Sequence, residues 1–444
     1  MRAVLLASIL FMLIMGIGMV WNIVPLAELQ TVTIHTPTTS VNTTNFSSNH
    51  NNGNGLGTTH ASTTENPVGT ETSNSVDTTG SGSSGHSSST TISQIQTSSS
   101  DWKNEWTSYA QVAWQFFKPG VGVSPTTGLI YASPYWHRFT DWDLGGYILA
   151  VLSAEKLGLI SSNGLWGADY RLGLVLNFLD SRPLTANNVT FQFYDSDTGT
   201  VSPDGPPNAG NPIDEGRLLI ALYDTKLLHP ELESEILAAV HHVNYTYFAS
   251  DSRFASGDDY SRYAALGFNL WGFKTASPPS YSAPPAGTFI TAEAVISAVL
   301  EGVNDTYITA ASQQVYFAQY AAYNRTGVLM ALSEGQYPPY LDSATPYVYE
   351  AIEVPSGATY TVQTWQGQNV TSSPEAFTKI GFAFYAVYKS SYGAFLVRTF
   401  ANLTATNGYQ EGILTATGRA FNAVSDNSNI MIMEACAYAV NPTF

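Results

Sequence analysis

The chain has 444 residues and a formal net charge of −17, with only 17 Lys and Arg residues, so it lacks the basic surface that nucleic-acid binding requires. Charged residues form 11% of the chain and aromatic residues 13%, so hydroxyl side chains must supply much of its polar exterior. Cys436 is the only cysteine, which excludes an intrachain disulfide. It lies in an apolar run, and we expect it to be a small buried core residue.

The N-terminal segment is a candidate membrane helix. Residues 3–21 are almost continuously apolar, which is about the length that spans a bilayer. Arg2 is the only basic residue before Lys103, a pattern that predicts an N-terminus inside the cell and a chain outside it. We therefore expect residues 1–29 to be a signal peptide or an uncleaved membrane anchor, and the length of the apolar run favours the anchor.

Residues 30–100 are rich in Thr, Ser, Asn and Gly and contain too few apolar residues to bury a core. We interpret them as a disordered stalk that holds a folded domain, residues 101–444, away from the cell surface. N-glycosylation triplets fit an exported, extracellular chain. Their asparagines are Asn42, Asn45, Asn188, Asn244, Asn304, Asn324, Asn369 and Asn402.

Helical periodicity recurs through the folded part, with short Gly- and Pro-rich connections between the helices. Thr140 with Asp143 matches a capping box, while Asn211-Pro212 and Ser373-Pro374 match a cap followed by proline at the first helical position. The predicted helices are residues 103–117, 141–157, 168–179, 212–224, 230–243, 261–272, 292–300, 311–323, 374–389, 392–403 and 429–440, and the predicted extended pieces are residues 189–194 and 347–354.

The order of these elements predicts a mainly all-α fold. No dinucleotide-binding, P-loop or nucleophile-elbow motif occurs. Consecutive helices without strong strand alternation favour helical hairpins stacked into a closed ring. An open helical repeat array is the alternative, although no fixed sequence period is visible.

Several segments, in order, resemble the domain-of-unknown-function 3131 family. They are TGLIYASPYW with TDWDLGGYILAVLSAEKLGLI, NPIDEGRLLIAL, YNRTGVLMALSEG with PYVYEAI, and FTKIGFAFYAVYKSSYGAFLV with GYQEGILTATGRAFNAVSDNSNIMIMEACAYAV. The resemblance covers roughly residues 102–440 and implies an (α/α)6 toroid related to glycoside-hydrolase-type six-hairpin domains. It implies a fold more firmly than an activity. One departure is Thr415 in GILTATG, where an acidic residue is expected in relatives.

Five carboxyl groups are candidates for catalysis, because glycoside hydrolysis uses one protonated acid and one ionised base or nucleophile. Asp143, Asp214 and Glu215 lie at predicted helix starts, where the helix dipole should lower the pKa of Asp143 and suit it to a base. Glu334 follows an apolar run, which should raise its pKa and suit it to an acid. Glu350 lies on an aromatic extended piece. For each residue a structural role, as cap, dipole partner or buried hydrogen-bonded carboxyl, is the alternative.

Aromatic and arginine side chains are candidates for sugar binding. The aromatic residues are Trp136, Trp142, Trp271, Tyr347, Tyr349 and Trp365, each of which could instead pack in the core. Arg138 and Arg217 could hydrogen-bond sugar hydroxyls or a uronate, or orient a carboxylate. Glu434 lies in an apolar helix, and we expect it to pair with an arginine.

Metal sites are weakly indicated. Asp195, Asp197 and Gly199 faintly resemble a calcium loop, but the ligand spacing of a full loop is missing and a hairpin turn is favoured. No zinc-ligand spacing is apparent, and the expected acid–base chemistry needs no redox cofactor.

The leading functional prediction is a cell-surface or secreted carbohydrate-active protein, most simply a glycoside hydrolase acting on an oligo- or polysaccharide. Its partners would be a carbohydrate and, through the N-terminal helix, a membrane; self-assembly is left open. A non-catalytic envelope, adhesion or filament protein that uses the toroid for glycan binding or assembly is the alternative. A polysaccharide lyase with a Tyr or His base is a third reading.

Overall fold

The computed structural model describes residues 99–442, except 206–209, 277, 337–346, 365–366 and 371–372. The predicted anchor, nearly all of the predicted stalk, Asn42, Asn45 and Trp365 therefore lie outside the described residues. Within the described part of the chain, no helix is both long and apolar enough to cross a membrane.

Helices account for about half of the folded part. The α-helices are α1 (Ser99–Ala113), α2 (Asp141–Lys156), α3 (Ala168–Ser181), α4 (Pro212–Leu228), α5 (Glu233–His242), α6 (Tyr245–Ala249), α7 (Asp259–Leu270), α8 (Ala292–Leu300), α9 (Thr306–Thr326), α10 (Thr378–Tyr388), α11 (Ser391–Phe400) and α12 (Asp426–Val440). Short 3-10 helices lie at Pro230–Leu232 and Ser252–Ala255. Every helix predicted for residues 101–444 overlaps an observed one, and among the described α-helices only the five-residue α6 was not predicted.

Six helices form a closed inner ring, which confirms the predicted ring of hairpins over an open array. α2 packs on α4, α4 on α7, α7 on α8, α8 on α10, α10 on α12, and α12 returns to α2. Outside them, α1 packs on α12, α3 on α5, α9 on α8, and α11 on α10. The inner helix α2 buries every residue from Leu144 to Ala154, as expected for a helix with neighbours on all sides.

Short strands lie between the helices. They are β1 (Arg138–Phe139), β2 (Tyr194–Asp195), β3 (Thr288–Ile290), β4 (Glu334–Gln336), β5 (Tyr347–Val354), β6 (Tyr360–Thr364), β7 (Glu375–Phe377), β8 (Thr404–Ala405), β9 (Gly408–Tyr409), β10 (Gly412–Leu414) and β11 (Arg419–Phe421). β5, which matches its predicted range, pairs antiparallel with β3 and β4 on one edge and with β6 on the other. β10 pairs antiparallel with both β7 and β11. These two sheets connect the outer helices to the starts of inner helices.

The predicted helix start at Pro374 is wrong. Residues Glu375–Phe377 form β7, because β10 offers them an antiparallel partner in which Gly412 lies opposite Phe377. Proline is tolerated at the edge of a strand as well as at a helix start, so the dipeptide alone could not distinguish the two. α10 therefore begins at Thr378.

Glycines allow the inner helices α4 and α7 to approach closely. A Cβ atom on Gly267 would lie 2.0 Å from the carbonyl oxygen of Gly216, and one on Gly216 would lie 2.4 Å from Cα of Ala264. Both distances are shorter than any van der Waals contact, and the obstructing atoms belong to the backbone of the neighbouring helix. The closed ring therefore depends on the absence of side chains at this crossing.

We predict that Gly267→Ala lowers the free energy of unfolding by about 1–3 kcal/mol or more, because the helices must separate. Gly173→Ala, on the outer helix α3 where a Cβ meets nothing within 4 Å, is the matched control. It should raise the free energy of unfolding by about 0.5–1 kcal/mol, because alanine loses less backbone entropy on folding. Urea unfolding of the full chain measures both, and equal stability of the two variants would contradict the packing described here.

Candidate active site

The first turns of the inner helices meet at one end of the ring. Asp143 in α2, Asp214 in α4 and Asp426 in α12 are close enough that the charge of Asp143 raises the pKa of both other carboxyls. The last turns of α2 and α4 also meet, since Glu155 contacts His229 at 2.8 Å. Neighbouring inner helices therefore run in the same direction, and their first turns gather carboxyl groups.

Of these three carboxyl groups, Asp143 accepts the most hydrogen bonds. Its Oδ2 accepts hydrogen bonds from the amide of Thr140 at 2.8 Å and from the Thr140 hydroxyl at 3.1 Å, which confirms the predicted capping box. Burial nevertheless raises the pKa of Asp143, so the predicted lowering at a helix start is wrong. Thr140 and the guanidinium of Arg217 act in the opposite direction and favour the charged form.

Asp214 and Asp426 are held closer to their neutral forms. Burial, followed by the charge of Asp143, raises the pKa of each well above its usual value. Asp214 accepts a hydrogen bond from the Asn211 side chain at 2.9 Å, and Asp426 accepts one from the amide of Asn427 at 2.6 Å. Asp143 is therefore the member of this group best suited to carry the negative charge.

Glu334 lies on β4, directly opposite Tyr349 of β5. The preceding residue, Ser333, donates a hydrogen bond to Glu293 at 2.7 Å, and Glu293 forms an ion pair with Lys379 at 2.6 Å. Glu293 and Lys379 belong to the first turns of α8 and α10. Glu334 is thus held at the α8 and α10 side of the ring.

Burial raises the pKa of Glu334 to about 8, and the negative charge of Glu293 is the second cause. The charge of Lys379 and the hydroxyls of Tyr260 and Tyr347 oppose this rise without cancelling it. Among the described residues, Oε2 of Glu334 and the hydroxyl of Tyr260 form no hydrogen bond of normal geometry. The raised pKa thus favours a protonated Glu334 at neutral pH, and its Oε2 is a buried atom whose hydrogen-bonding capacity is not used by the described residues.

The two carboxyl groups face each other across the ring. In the ring order α2, α4, α7, α8, α10, α12, the helix that carries Asp143 lies opposite α8, whose Glu293 is hydrogen-bonded to the residue before Glu334. Asp143 and Asp214 are partly exposed, whereas Glu334 is only 4% exposed. A ligand at this end would meet a base-like carboxyl on one side and a protonated carboxyl on the other.

Aromatic rings connect these two sides. The Tyr260 ring lies 6.3 Å from that of Tyr349 and 5.8 Å from that of Trp142, and Tyr347 lies 5.6 Å from Tyr349. The three tyrosines are partly exposed. Asn427 donates a hydrogen bond to the Tyr347 hydroxyl at 3.3 Å and so ties α12 to β5. Flat apolar faces beside hydrogen-bonding groups are what a sugar ring requires.

Several residues of this site were not singled out by the sequence analysis. Each occupies the first turn of an inner helix or the residue before a strand, so the helix-start signal that found Asp143 could have found most of them. They are Tyr260, Glu293, Lys379, Glu411, Asp426 and Asn427. Glu411 accepts a hydrogen bond from Ser428 in the first turn of α12 at 2.7 Å.

Two of the predicted catalytic carboxyls point elsewhere. Glu215 is fully buried, accepts a hydrogen bond from Thr190, and lies 4.0 Å from Arg182, which pairs with Asp141 at 2.6 Å. This cluster joins α2, α4 and the segment between α3 and α4 that carries Arg182 and Thr190.

Glu350 is also fully buried. It accepts a hydrogen bond from the amide of Glu375 at 2.8 Å. Successive residues of a strand point to opposite faces, so Glu350 points away from the face that carries Tyr347 and Tyr349.

Arg217 lies in the centre of the ring, fully buried, with Glu434 at 2.9 Å and Glu301 at 3.6 Å. The predicted pairing of Glu434 with an arginine is confirmed. Trp142, which is 7% exposed, packs over the Arg217 guanidinium at 4.6 Å. These two predicted sugar-binding residues therefore lie beneath the site. The Arg217 side chain is not accessible to a sugar.

The other predicted binding residues lie farther out. Arg138 pairs with Asp195 at 2.6 Å across the antiparallel β1–β2 strand pair, and the neighbouring Trp136 is 37% exposed. Because β1 directly precedes α2, this strand pair belongs to the rim of the same end. Trp271 follows the last turn of α7 and donates its indole N–H to the carbonyl of Leu219, at the opposite end.

The segment with the faint calcium pattern is a turn, as favoured from the sequence. Gly199 donates its amide to the carbonyl of Asp195 at 2.8 Å. The Asp195 carboxylate binds Arg138, and the Asp197 carboxylate accepts a hydrogen bond from Tyr131 at 2.6 Å and contacts His137 at 2.9 Å. A cation at this turn would have to displace donors of the chain itself.

Thr415 does not lie among the site carboxyls. Its hydroxyl donates a hydrogen bond to the carbonyl of Pro374 at 2.6 Å, just beyond the end of β10. Glu411 precedes the other end of β10 and contacts α12. The departure at Thr415 therefore leaves the carboxyl groups of the site in place.

Other surface features do not compete with this site. Two surface depressions of the described residues lie at the start of α9 and between α3 and α5, away from the first turns of the inner helices. The candidate site is thus identified by its chemistry.

The sequon asparagines within the described range are all exposed, and their glycosylation stays a prediction. They are Asn188, Asn244, Asn304, Asn324, Asn369 and Asn402.

A family sequence profile described as "Protein of unknown function (DUF3131)" matches residues 108–288 and 281–441. These matches span more than half of the chain, so the protein belongs to this family, which confirms the resemblance noted from the sequence. Curated protein sequences give no match.

Solved structures share the fold at low identity. A β-1,2-glucanase from Parabacteroides distasonis has a TM-score of 0.56 and 11% identity, and the match covers 78% of this chain but only 57% of that chain. An endo-β-1,2-glucanase from Chitinophaga pinensis in complex with sophorotriose and glucose has a TM-score of 0.57 and 11% identity, covering 78% and 93%. An endo-β-1,2-glucanase variant from Talaromyces funiculosus in complex with β-1,2-glucan has a TM-score of 0.50 and 9% identity, covering 78% and 87%. At these identities the likeness establishes the fold alone.

The raised pKa of Glu334 predicts a pH-dependent stability. The native protein keeps a proton that the unfolded chain releases above about pH 4.5, so unfolding releases a proton and becomes easier as pH rises towards 8. Between these values Glu334→Gln should gain stability relative to wild type by up to about 1.4 kcal/mol per pH unit.

Chemical unfolding of the full chain at several pH values measures this difference. Glu353→Gln, which removes a partly exposed carboxyl from the far end of β5, is the control and should follow wild type. A constant difference between Glu334→Gln and wild type from pH 4.5 to 8 would mean that Glu334 is ionised throughout.

Proposed function

We propose that this DUF3131 protein is a glycoside hydrolase that cleaves an uncharged polysaccharide, with Glu334 as general acid and Asp143 as general base. The observation that carries the proposal is that a buried Glu334 with a raised pKa and a donor-rich Asp143 lie on opposite sides of the same aromatic-lined end of the ring. Glycosidases require this division between a protonated and an ionised carboxyl.

Glu334 would donate its proton to the glycosidic oxygen as the bond from that oxygen to the anomeric carbon breaks. The carboxylate that remains would face Lys379, whose positive charge favours the ionised form, and the hydroxyls of Tyr260 and Tyr347 would favour it as well. A group that is neutral before the reaction and stabilised as an anion afterwards is suited to general acid catalysis.

Asp143 would accept a proton from a water molecule whose oxygen attacks the anomeric carbon. Its two hydrogen bonds from Thr140, both to Oδ2, fix the orientation of the carboxylate. Asp214 and Asp426, with raised pKa values, would remain neutral beside it and act as hydrogen-bond donors to sugar hydroxyls. The sum of these transfers consumes one water and yields two sugar ends.

The tyrosine rings support a carbohydrate rather than a small polar ligand. Tyr260, Tyr347 and Tyr349 present partly exposed faces and hydroxyls between the two carboxyl groups. Trp136, exposed just before β1 and packed edge-on against Phe193 at 5.2 Å, would extend the binding surface to a further sugar unit. Several stacked positions suit a polymer.

The charges around the site favour an uncharged substrate. Glu334, Asp143, Asp214, Glu411 and Asp426 surround the opening. Three cations of this region are already paired: Lys379 with Glu293, Arg217 with Glu434, and Arg253 with Asp251. A uronate or sulfate would have to compete with these carboxylates for a cation, so this balance argues against the lyase reading.

The structural neighbours supply the first substrates to test. The solved structures named above include enzymes described as β-1,2-glucanases, and their ligands are neutral glucose polymers or fragments. A shared fold does not transfer activity. It does make β-1,2-glucan the first member of a panel of neutral glucans. We further propose, from the sequence, that the enzyme is exported and glycosylated and acts at the cell surface.

We predict that Glu334→Gln lowers hydrolysis by about 10²- to 10⁴-fold, because the leaving oxygen loses its proton donor. Asp143→Asn should lower it to a similar extent. Glu353→Gln is the matched control, with the same chemical change on β5 away from the site, and should retain activity. The measurement is the release of reducing ends from the glucan panel by the full chain and each variant.

The outcomes separate the functional classes. Unchanged hydrolysis in Glu334→Gln would exclude the assigned acid. Glycan retention on an affinity gel without any bond cleavage would favour the non-catalytic binding protein. Products that absorb in the ultraviolet would indicate a lyase instead of a hydrolase.

We also predict that oxidising part of the primary hydroxyls of a cleaved glucan to carboxylates lowers kcat/KM at least about tenfold, because like charges would meet in the site. Added salt should reduce the difference in kcat/KM between the oxidised and the untreated glucan, because it screens these charges. The untreated glucan is measured as the control at each salt concentration. Faster cleavage of the oxidised polymer would contradict the inferred preference for uncharged sugars.

A further inference from the structure

His229 lies at the opposite end of the ring from the candidate active site. It follows the last residue of α4 and precedes the short helix Pro230–Leu232. Its side chain is only 6% exposed, yet both ring nitrogens face carboxylates. Nε2 lies 2.8 Å from Oε2 of Glu155, while Nδ1 lies 3.0 Å from Oε1 of Glu231 and 3.3 Å from Oδ1 of Asp169.

The hydrogen bonds available to this imidazole leave one neighbouring carboxylate oxygen without a partner among the described residues. If Nε2 donates its proton to Glu155, the Nδ1 lone pair faces two negatively charged oxygens. If Nδ1 also carries a proton, that single N–H can satisfy Glu231 but not Asp169. Oδ1 of Asp169 is a buried atom without a hydrogen-bond partner among the described residues. One ion bound to all three atoms would satisfy each of them.

The distances fit a small divalent ion. Ligands at about 2.0–2.2 Å from a tetrahedral zinc ion lie about 3.4 Å from one another. The Nδ1 atom lies 3.0 and 3.3 Å from its two carboxylate neighbours, and all three ligand atoms fall within 4.8 Å of one another. The side chains of Asp169 and Glu231 are 35% and 59% exposed, so an ion could enter from solvent.

Two further features favour a cation at this place. A metal-binding histidine commonly donates its other N–H to a carboxylate, and Glu155 occupies that position on Nε2. The cation would also lie at the carboxyl ends of α2 and α4, where the helix dipoles are negative.

We propose that Nδ1 of His229, Asp169 and Glu231 bind a divalent transition-metal ion, with zinc as the best match to one imidazole and two carboxylates, and that Glu155 orients the imidazole. The remaining coordination position is open to water. The ion would join the start of α3 to the segment after α4, and Glu155 would connect α2 to it through the imidazole. Because Asp169 lies far in the sequence from His229 and Glu231, no full set of ligands at a local spacing marks the site.

The test is zinc binding to the full chain after removal of metals with a chelator. We expect one tightly bound equivalent by elemental analysis and titration calorimetry, and a higher melting temperature with zinc than without it. Binding of Co²⁺ in place of zinc should give the visible absorption of a low-symmetry site. Glu231→Gln should weaken binding at least tenfold, and Glu155→Gln by about 10- to 100-fold.

Glu235→Gln removes a fully exposed carboxyl from the neighbouring helix α5 and should bind zinc as wild type does. If His229→Gln fails to fold, the partly exposed Glu231 still provides a variant that tests the site. Absence of bound zinc, or undiminished binding in Glu231→Gln and Glu155→Gln, would overturn the proposal and leave a protonated His229 as the link between these carboxylates. This result is independent of hydrolysis, since the two sites lie at opposite ends of the ring.

Discussion

Arg217 is the residue on which the inner ring depends. Its guanidinium lies in the centre of the ring, where it pairs with Glu434 of α12 and with Glu301 at the end of α8, and Trp142 of α2 packs over it. Tyr263 of α7 donates a hydrogen bond to the same Glu301 at 2.7 Å. The Arg217 side chain of α4 thus contacts residues of α12 and α2 and the residue that ends α8. It is connected to α7 through Glu301, which accepts the Tyr263 hydrogen bond. Removing one partner of such a buried pair typically costs about 3–5 kcal/mol, because the remaining charge has no water to solvate it.

This central cation explains how so many carboxyl groups can be buried at one end of the ring. The charge of Arg217 favours the ionised forms of Asp143 and Asp426, and Lys379 does the same for Glu334 and Glu411. Two cations cannot neutralise all of these acids, so burial forces several of them to remain protonated. The same excess of acid over base that costs folding free energy would supply both the proton donor and the proton acceptor of the proposed hydrolysis.

Much of the scaffold could be predicted from the sequence, because local signals agreed with the fold. Thr140 and Asp143 form the expected capping box, and β5 has its predicted bounds. The helix start predicted at Ser373-Pro374 was wrong because the residues that follow pair with β10, a strand distant in sequence.

The candidate site was predictable only in part. Asp143 and Asp214 lie close together because helix starts converge, and β4 places Glu334 at the same end of the ring. Glu215 and Glu350 instead point into other buried clusters. Strand alternation could have separated Glu350 from Tyr349. The positions of Lys379 and Glu411 depend on contacts between elements distant in sequence, which no local pattern contains.

The most direct test of the account is the pH dependence of kcat for hydrolysis of a neutral glucan by the full chain. If Glu334 is the buried acid described here, kcat should fall as pH rises through about 8, when that carboxyl loses its proton. This decrease in kcat should be absent from the pH dependence of the residual activity of Glu334→Gln. A rate that stays constant or rises from pH 7 to well above 8 would contradict the assignment of a protonated glutamate to this end of the ring.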